Sequence, residues 1–289
     1  MLTLKRIATI QDISCFGKCS ITVSLPIISA MGVECCIVPT SLLSTHTGGF
    51  SGYTFYDLSE QILPIAEHWK SIDLSLDAIY TGYLGSKRQI DLVKKFIEKT
   101  AKPQTMIFVD PAMADNGKLY AGFENDFPAK MLELCRCADI VCPNITEAAL
   151  MLDKPYLKAG EYDKAYIYSL IDGFVEFGVK TVIITGVKYG DGKHGAVGYS
   201  AESGEYVSYF ASDIPKQLHG TGDTFSSVLC GALVKGTDIY TAIKCAVDFT
   251  VACIENTVPD FESHPYGVKF EECLHMLCNM SKNAEEGAL

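Results

Sequence analysis

A three-layer α/β/α sandwich around a mainly parallel sheet, with a small β flap or hairpin, is the fold that this sequence predicts. Short β-rich runs alternate with helical patterns along most of the chain, the signature of a parallel sheet covered on both faces. Polar residues cluster just past the expected strands, where open parallel sheets bind their ligands. No Pro/Ser-rich linker, repeat or low-complexity stretch divides residues 1–289, so a single domain is expected.

The first strand is read over Arg6–Gln11, followed by a helix over Ile21–Met31 after a Gly-Lys-Cys-Ser entry. A second strand is expected at Glu34–Pro39. The glycine-rich stretch Ser44–Tyr56 needs special φ values at Gly48 and Gly49, which makes it a loop or small flap. Further strands fit Ala78–Thr81, Met106–Asp110, Ile140–Cys142 and Thr181–Thr185. Among the helices, Ser86 is a good N-cap for a face of Ile90, Val93 and Ile97. Ile167, Leu170, Ile171 and Phe174 mark another face, closed by Gly178. His194–Tyr199 and Glu205–Ala211 read as an antiparallel hairpin turning through Ser203-Gly204. Phe225, Val228, Leu229 and Ala232 give the apolar face of a helix over Thr224–Lys235 that Gly236 ends, and the chain from Asp238 onward is expected to be helical.

Composition narrows the function. A formal charge of −11 argues against nucleic-acid and anionic-membrane surfaces, so a polyanion the size of ATP would need help from amides, Lys or a divalent metal. Apolar residues make up 48% of the chain, yet no run of about 18 of them exists to cross a bilayer. Met1-Leu2-Thr3-Leu4-Lys5-Arg6 leads straight into a strand rather than a signal-peptide apolar region, and a cytoplasmic protein is expected. The twelve cysteines are expected as buried reduced thiols, since a chain this long and apolar needs no disulfide staples, and neither Cys15 and Cys19 nor Cys135 and Cys137 have the two-residue gap of a zinc knuckle.

His219-Gly220-Thr221-Gly222-Asp223 is the most informative stretch. A glycine-rich turn feeding a helix brings unpaired amides and the positive end of the helix dipole to one spot, which binds an anion. The carboxylate of Asp223 would repel a resting phosphate there. It makes sense as a base that accepts the proton of a substrate hydroxyl while the neighbouring amides stabilise a phosphoryl group in flight. An ordinary helix start with an acidic first turn is the structural alternative.

Asp110 and Asp115, past the strand Met-Ile-Phe-Val, suit Mg²⁺, although turn chemistry also explains them. Asn144 and Glu147 have capping-box spacing, and in a functional reading Glu147 lies near metal waters and Asn144 near phosphates. Thr185 and Lys188 could approach a nucleotide. Ser44 to Gly48 and Thr81 to Gly85, with Thr47 and Tyr83, offer hydrogen bonds and an aromatic face for a small planar substrate. His46 is more readily a structural histidine than a catalytic one.

Gln11, Ser44 to Gly48, Thr81-Gly82-Tyr83-Leu84-Gly85-Ser86, Asp110-Pro111, Pro143-Asn144 with Glu147, and Gly220 to Asp223 together resemble the pyridoxal kinases of the ribokinase superfamily, from about Arg6 to Glu255. The resemblance implies a ribokinase-like fold, a homodimer, and ATP-dependent phosphorylation of the 5′-hydroxymethyl group of pyridoxal, pyridoxine or pyridoxamine. It makes Asp223 the base and Gly220-Thr221-Gly222 the anion hole. Asp115, Asn144 and Glu147 would organise Mg²⁺ and phosphates, and Thr47 and Tyr83 would line the pyridine site.

The chain departs from that pattern in three places. Gln11-Asp12-Ile13 stands where pyridoxal kinases typically continue Gln-Ser-His, Ala114 replaces a glycine, and Cys142 replaces a threonine. An anionic Asp12 would favour a protonated amine or pyridinium, and some preference for pyridoxamine over pyridoxal follows. Asp12 is also similar to the N-terminal site of hydroxymethylpyrimidine kinases, which commonly have cysteine where Asp223 stands. A sugar or pyrimidine kinase and a non-catalytic B6-binding regulator are the alternatives.

Overall fold

The computed structural model describes residues 4–278. Its elements run in the order β1 (Arg6–Ser14), α1 (Ile21–Ala30), β2 (Glu34–Leu43), β3 (Phe55–Asp57), α2 (Ser59–Ser71), β4 (Ala78–Thr81), α3 (Lys87–Thr100), β5 (Met106–Val109), β6 (Ala114–Asp115) and β7 (Lys118–Leu119). They continue with α4 (Phe127–Cys135), β8 (Ile140–Val141), α5 (Ile145–Met151), α6 (Lys164–Glu176), β9 (Thr181–Val187), β10 (Lys193–Ser200), β11 (Glu205–Ser212), α7 (Thr221–Val234) and α8 (Ile239–Thr257).

Nine strands form one sheet in the order β11-β10-β9-β8-β5-β4-β1-β2-β3. The six from β9 to β2 are parallel, and the outer strands β10, β11 and β3 are antiparallel. Helices α2 to α6 pack on one face around Ile10, Ile79, Val109 and Val141, and α1, α7 and α8 on the other around Ile7, Tyr80, Phe108 and Ile183. Alternate strand residues thus feed separate cores, which gives the three layers expected. Ser86 caps α3 by accepting from the Gln89 amide, and Gly236 closes α7 at φ 84°. The hairpin pairs Ser200 with Glu205. All twelve cysteines are free thiols, with Cys35 and Cys36 only half-buried.

Several boundaries move. β1 continues to Ser14 and β2 to Leu43, because the two strands go on pairing past a bulge and β3 adds to the extended end of β2. The flap therefore closes with a short edge strand, and α2 and α4 are helices that the sequence reading left unassigned. α7 starts at Thr221 rather than Thr224, so Asp223 lies inside its first turn. The helical expectation past Asp238 holds to Thr257. Pro259 then stops the helix in a 3₁₀ turn (Val258–Asp260), since proline supplies no amide for the ladder. Its continuation past residue 278, like the Met1–Thr3 start, lies outside the described residues. No described helix is long and apolar enough to cross a membrane.

Candidate active site

Gly220 precedes α7 in the left-handed conformation, φ 78° and ψ 3°. A Cβ there would lie 2.2 Å from the Lys18 carbonyl oxygen, so only glycine fits between the β1–α1 loop and the helix. Thr221 Oγ1 donates to the Leu218 carbonyl, while Gly222 is exposed with open space beside its Cα. The free amides of this first turn consequently face an open cleft. Asp223 is half-buried beside them, and the Ser20 amide faces its carboxylate. Loss of water, reinforced by the charges of Asp110 and Asp12, pushes the Asp223 carboxyl up to about 7. A carboxylate so tuned takes up a proton readily near neutral pH.

Asp12 sits in β1 where the pairing slips. Gln11 pairs with Pro39 and Ile13 with Leu42, so Thr40 and Ser41 oppose Asp12 alone. Such bulges re-aim side chains beside functional sites. Burial raises the Asp12 carboxyl, and the hydroxyls of Ser20 and Ser14 pull it back, Ser14 Oγ donating at 2.9 Å. Tyr83, just past β4, has its phenol pushed up to about 12 by burial, with Asp12 and Tyr53 adding to the effect. Thr47 is exposed on the flap. Next to it, His46 is buried and structural: Nδ1 accepts from the Gly48 amide, which assigns the proton to Nε2, and Nε2 donates to the Tyr266 carbonyl at 2.9 Å. Gly48 presses on His219, where a Cβ would stand 2.4 Å from the ring. The flap is thereby held over the turn that precedes α7.

On the other side of Asp223 lies an acidic group. The Tyr120 phenol is raised by burial and by Glu147, Asp115, Asp110 and Asp223 together, so four carboxylates share this cleft. Asp110 and Glu147 are both buried, and burial pushes both carboxyls up, Asp110 further through the charge of Glu147. Glu147 completes a capping box with Asn144: its Oε2 accepts from the Asn144 amide at 2.8 Å and its Oε1 from the Met113 amide at 3.1 Å. Asn144 Nδ2 donates to the Ala114 carbonyl, tying α5 to β6, while Asp115 sits exposed on β6. Among the described residues no three His, Cys, Asp or Glu side chains converge as a metal shell. Asp110, Asp115 and Glu147 are therefore not brought together as a direct ligand set: Asp115 is exposed while Asp110 and Glu147 are buried. Two buried carboxylates that pair with no cationic side chain among the described residues nonetheless suit Mg²⁺ held mainly through its own waters and through phosphate oxygens.

Thr185, inside β9, bridges to Asn144 across the sheet edge. Lys188 is half-buried, and its Nζ pairs with Asp213 at 2.7 Å. A hollow of about 520 Å³ lined by Met106, Asp139, Lys180 and Glu202 lies at the opposite, N-terminal end of the strands, away from this chemistry.

A family model described as phosphomethylpyrimidine kinase matches residues 9–265. The chain belongs to the phosphomethylpyrimidine kinase family. Within it the chain is pyridoxal kinase-like and of the ribokinase superfamily. It is 35% identical to a Bacteroides thetaiotaomicron protein assigned as a phosphomethylpyrimidine kinase and crystallised with pyridoxal, with a TM-score of 0.89 over 95% of this chain and 96% of that one. Pyridoxal kinase from Lactobacillus plantarum superposes with a TM-score of 0.87 at 28% identity, over 97% of this chain and 99% of that one. A rice enzyme named as a probable thiamine biosynthetic bifunctional enzyme is 26% identical over 83% of this chain. The chain spans only 42% of that enzyme's length.

Two residues of this family member's cleft escaped the sequence reading. Ser226, one turn after Asp223, donates to Asp110 Oδ2 at 2.6 Å. Polar residues on the buried face of an apolar helix, here Thr224, Ser226 and Ser227, were the available signal. Ser20 gave none, because its role depends on a backbone angle.

Proposed function

We propose that this kinase transfers the γ-phosphoryl group of ATP to the 5′-hydroxymethyl oxygen of a vitamin B6 vitamer, giving the 5′-phosphate and ADP. The observation that carries this reading is Asp223, a carboxylate poised near neutrality within the first turn of a helix whose amides face an open cleft. In it, Asp223 takes the hydroxyl proton as the new oxygen–phosphorus bond forms and the bond to the ADP oxygen breaks. The amides of Gly220, Thr221 and Gly222 bear the charge on the transferred group. Asp12 and Tyr83 orient the ring from one side and Thr47 from the flap. Asp110, Asp115, Asn144, Glu147 and Thr185 surround the phosphates and nucleotide, with Asp110 and Asp115 holding Mg²⁺ through its waters and Glu147 adding its charge. Mg²⁺ held by these residues would supply positive charge against the phosphates.

Pyridoxal bound to the 35% identical Bacteroides protein supports the B6 assignment. The phosphomethylpyrimidine family model and Asp12 support the second reading, a hydroxymethylpyrimidine kinase. Asp223 favours the first, since hydroxymethylpyrimidine kinases commonly carry cysteine at that position. The chain is read as one kinase domain acting in the cytoplasm as a homodimer.

The test is ATP consumption with Mg²⁺ and, separately, pyridoxal, pyridoxine, pyridoxamine and hydroxymethylpyrimidine, with each phosphorylated product confirmed by mass. Turnover of a B6 vitamer supports the proposal, and turnover of the pyrimidine alone replaces it with the second reading. Binding without product would point to a non-catalytic regulator.

A further inference from the structure

Ser20 stands between the two carboxylates assigned to the substrate side of the cleft. It immediately precedes α1, is only 3% exposed, and adopts φ 54° and ψ −132°. Glycine enters this region freely, whereas a residue with a Cβ does so at a cost. The start of α1 does not explain the serine. Its side chain caps no helix amide, and the bonds that its carbonyl accepts from the Val23 and Ser24 amides need no particular side chain.

What the conformation achieves is direction. The backbone N–H of Ser20 faces the Asp223 carboxylate, and its hydroxyl faces that of Asp12. The loop around it is fixed from three sides. The Lys18 carbonyl is wedged against Gly220, the Lys18 amide donates to the Tyr266 carbonyl at 3.2 Å, and Gly17 lies so close to His46 that a Cβ would stand 2.0 Å from the ring. Ser20 is therefore clamped in a costly backbone geometry at the one point where it meets both acids. Backbone strain of this kind persists where the surroundings over-determine it and collects at functional sites.

We propose that Ser20 is a positioning residue whose strained backbone keeps its amide on Asp223 and its hydroxyl on Asp12, tying the proton acceptor to the carboxylate that meets the substrate ring. The inference rests on the reading of Asp223 as the base and Asp12 as a substrate contact. Glycine would hold the amide at less cost, so the hydroxyl is what serine adds, and its effect passes through Asp12.

Ser20→Gly relieves the strain, keeps the amide and loses the hydroxyl. Ser20→Ala keeps the strain and loses the hydroxyl. Both are to be made in the natural chain and in Asp12→Asn, and read by Tm and by kcat and KM for pyridoxal and pyridoxamine. Ser20→Gly should raise Tm by about 2 °C or more while Ser20→Ala does not. Both should raise KM by about 5–10-fold with kcat held within about 3-fold, and the KM effect should vanish in Asp12→Asn. A higher Tm for Ser20→Gly with unchanged KM would show the strain to be incidental and overturn the proposal. A KM effect of equal size in Asp12→Asn would overturn it too. If the natural chain turns over neither vitamer, the kinase reading fails by itself, and calorimetric Kd values for the same ligands decide Ser20: weaker binding by Ser20→Gly supports it, and equal binding overturns it.

Discussion

Ser226 Oγ, one turn into α7, donates a 2.6 Å hydrogen bond to Asp110 Oδ2 at the end of β5. The helix that follows the glycine turn at 220 is thus tied directly to the buried acidic pair. Leaving a buried hydrogen-bonding group without its partner costs about 1–3 kcal/mol, and losing this bond should also push the Asp110 carboxyl further up. Ser226→Ala should lower stability in urea by about 1–3 kcal/mol and raise the Mg²⁺ concentration for half-maximal turnover several-fold. Unchanged stability and Mg²⁺ dependence would mean that the tie is idle.

Asp223→Asn keeps the shape and removes the base. On the assigned role kcat falls by about 10²–10⁴. Stability should move the other way. Because the folded carboxyl is raised to about 7, the ionised folded form carries a desolvation penalty that is complete above pH 7 and fades as the group takes up a proton towards its ordinary value. The natural chain therefore loses stability as pH rises through that window, and Asp223→Asn should melt higher by a margin widest above pH 7. Thermal scans at pH 5 and pH 8 check this, and equal margins would contradict the raised value.

The same shift fixes an activity profile. Since the base must be ionised, kcat/KM for the vitamer should decline about tenfold per unit as pH drops below about 7. A flat profile from pH 6 to pH 8 would exclude Asp223 as the titrating base.

Gly220→Ala places a methyl group 2.2 Å from the Lys18 carbonyl oxygen at a φ of 78°. The substitution should cost about 2 kcal/mol or more in stability and remove most turnover, because the β1–α1 loop must retreat from the helix. An alanine variant of normal Tm and activity would refute this packing.

Asp12 is buried beside Tyr83, and on the proposed reading its carboxylate meets the substrate ring. Pyridoxamine should have a higher kcat/KM than pyridoxal, and Asp12→Ser should erase the difference. Equal kcat/KM values in the natural chain would remove this specificity role.

Much of the fold was legible because its signals are local. The run Ala78–Thr81 is a strand of those bounds, Ser86 caps α3, and the 194–211 region is a hairpin. The unassigned helices α2 and α4 are short amphipathic segments interrupted or opened by Pro64 and Pro128, which blur the helical period. β1 and β2 outran their expected ends because pairing continues through a bulge, and a bulge leaves no mark on either strand's own pattern.

By itself the sequence determined the alternation of strands and helices, the glycine turn at 220–222 with Asp223 behind it, and the polar residues past each strand end. These follow from side-chain periodicity and glycine's backbone freedom, which act over a few residues. Only the tertiary structure decided which of those groups meet. It set Ser226 on Asp110, brought the Met113 amide onto Glu147, paired Lys188 with Asp213, and turned Ser20 between Asp12 and Asp223. Such meetings depend on how two helical layers and several loops close on one sheet, and that closure is fixed by packing between separate segments, which for Ser226 and Asp110 lie 116 residues apart.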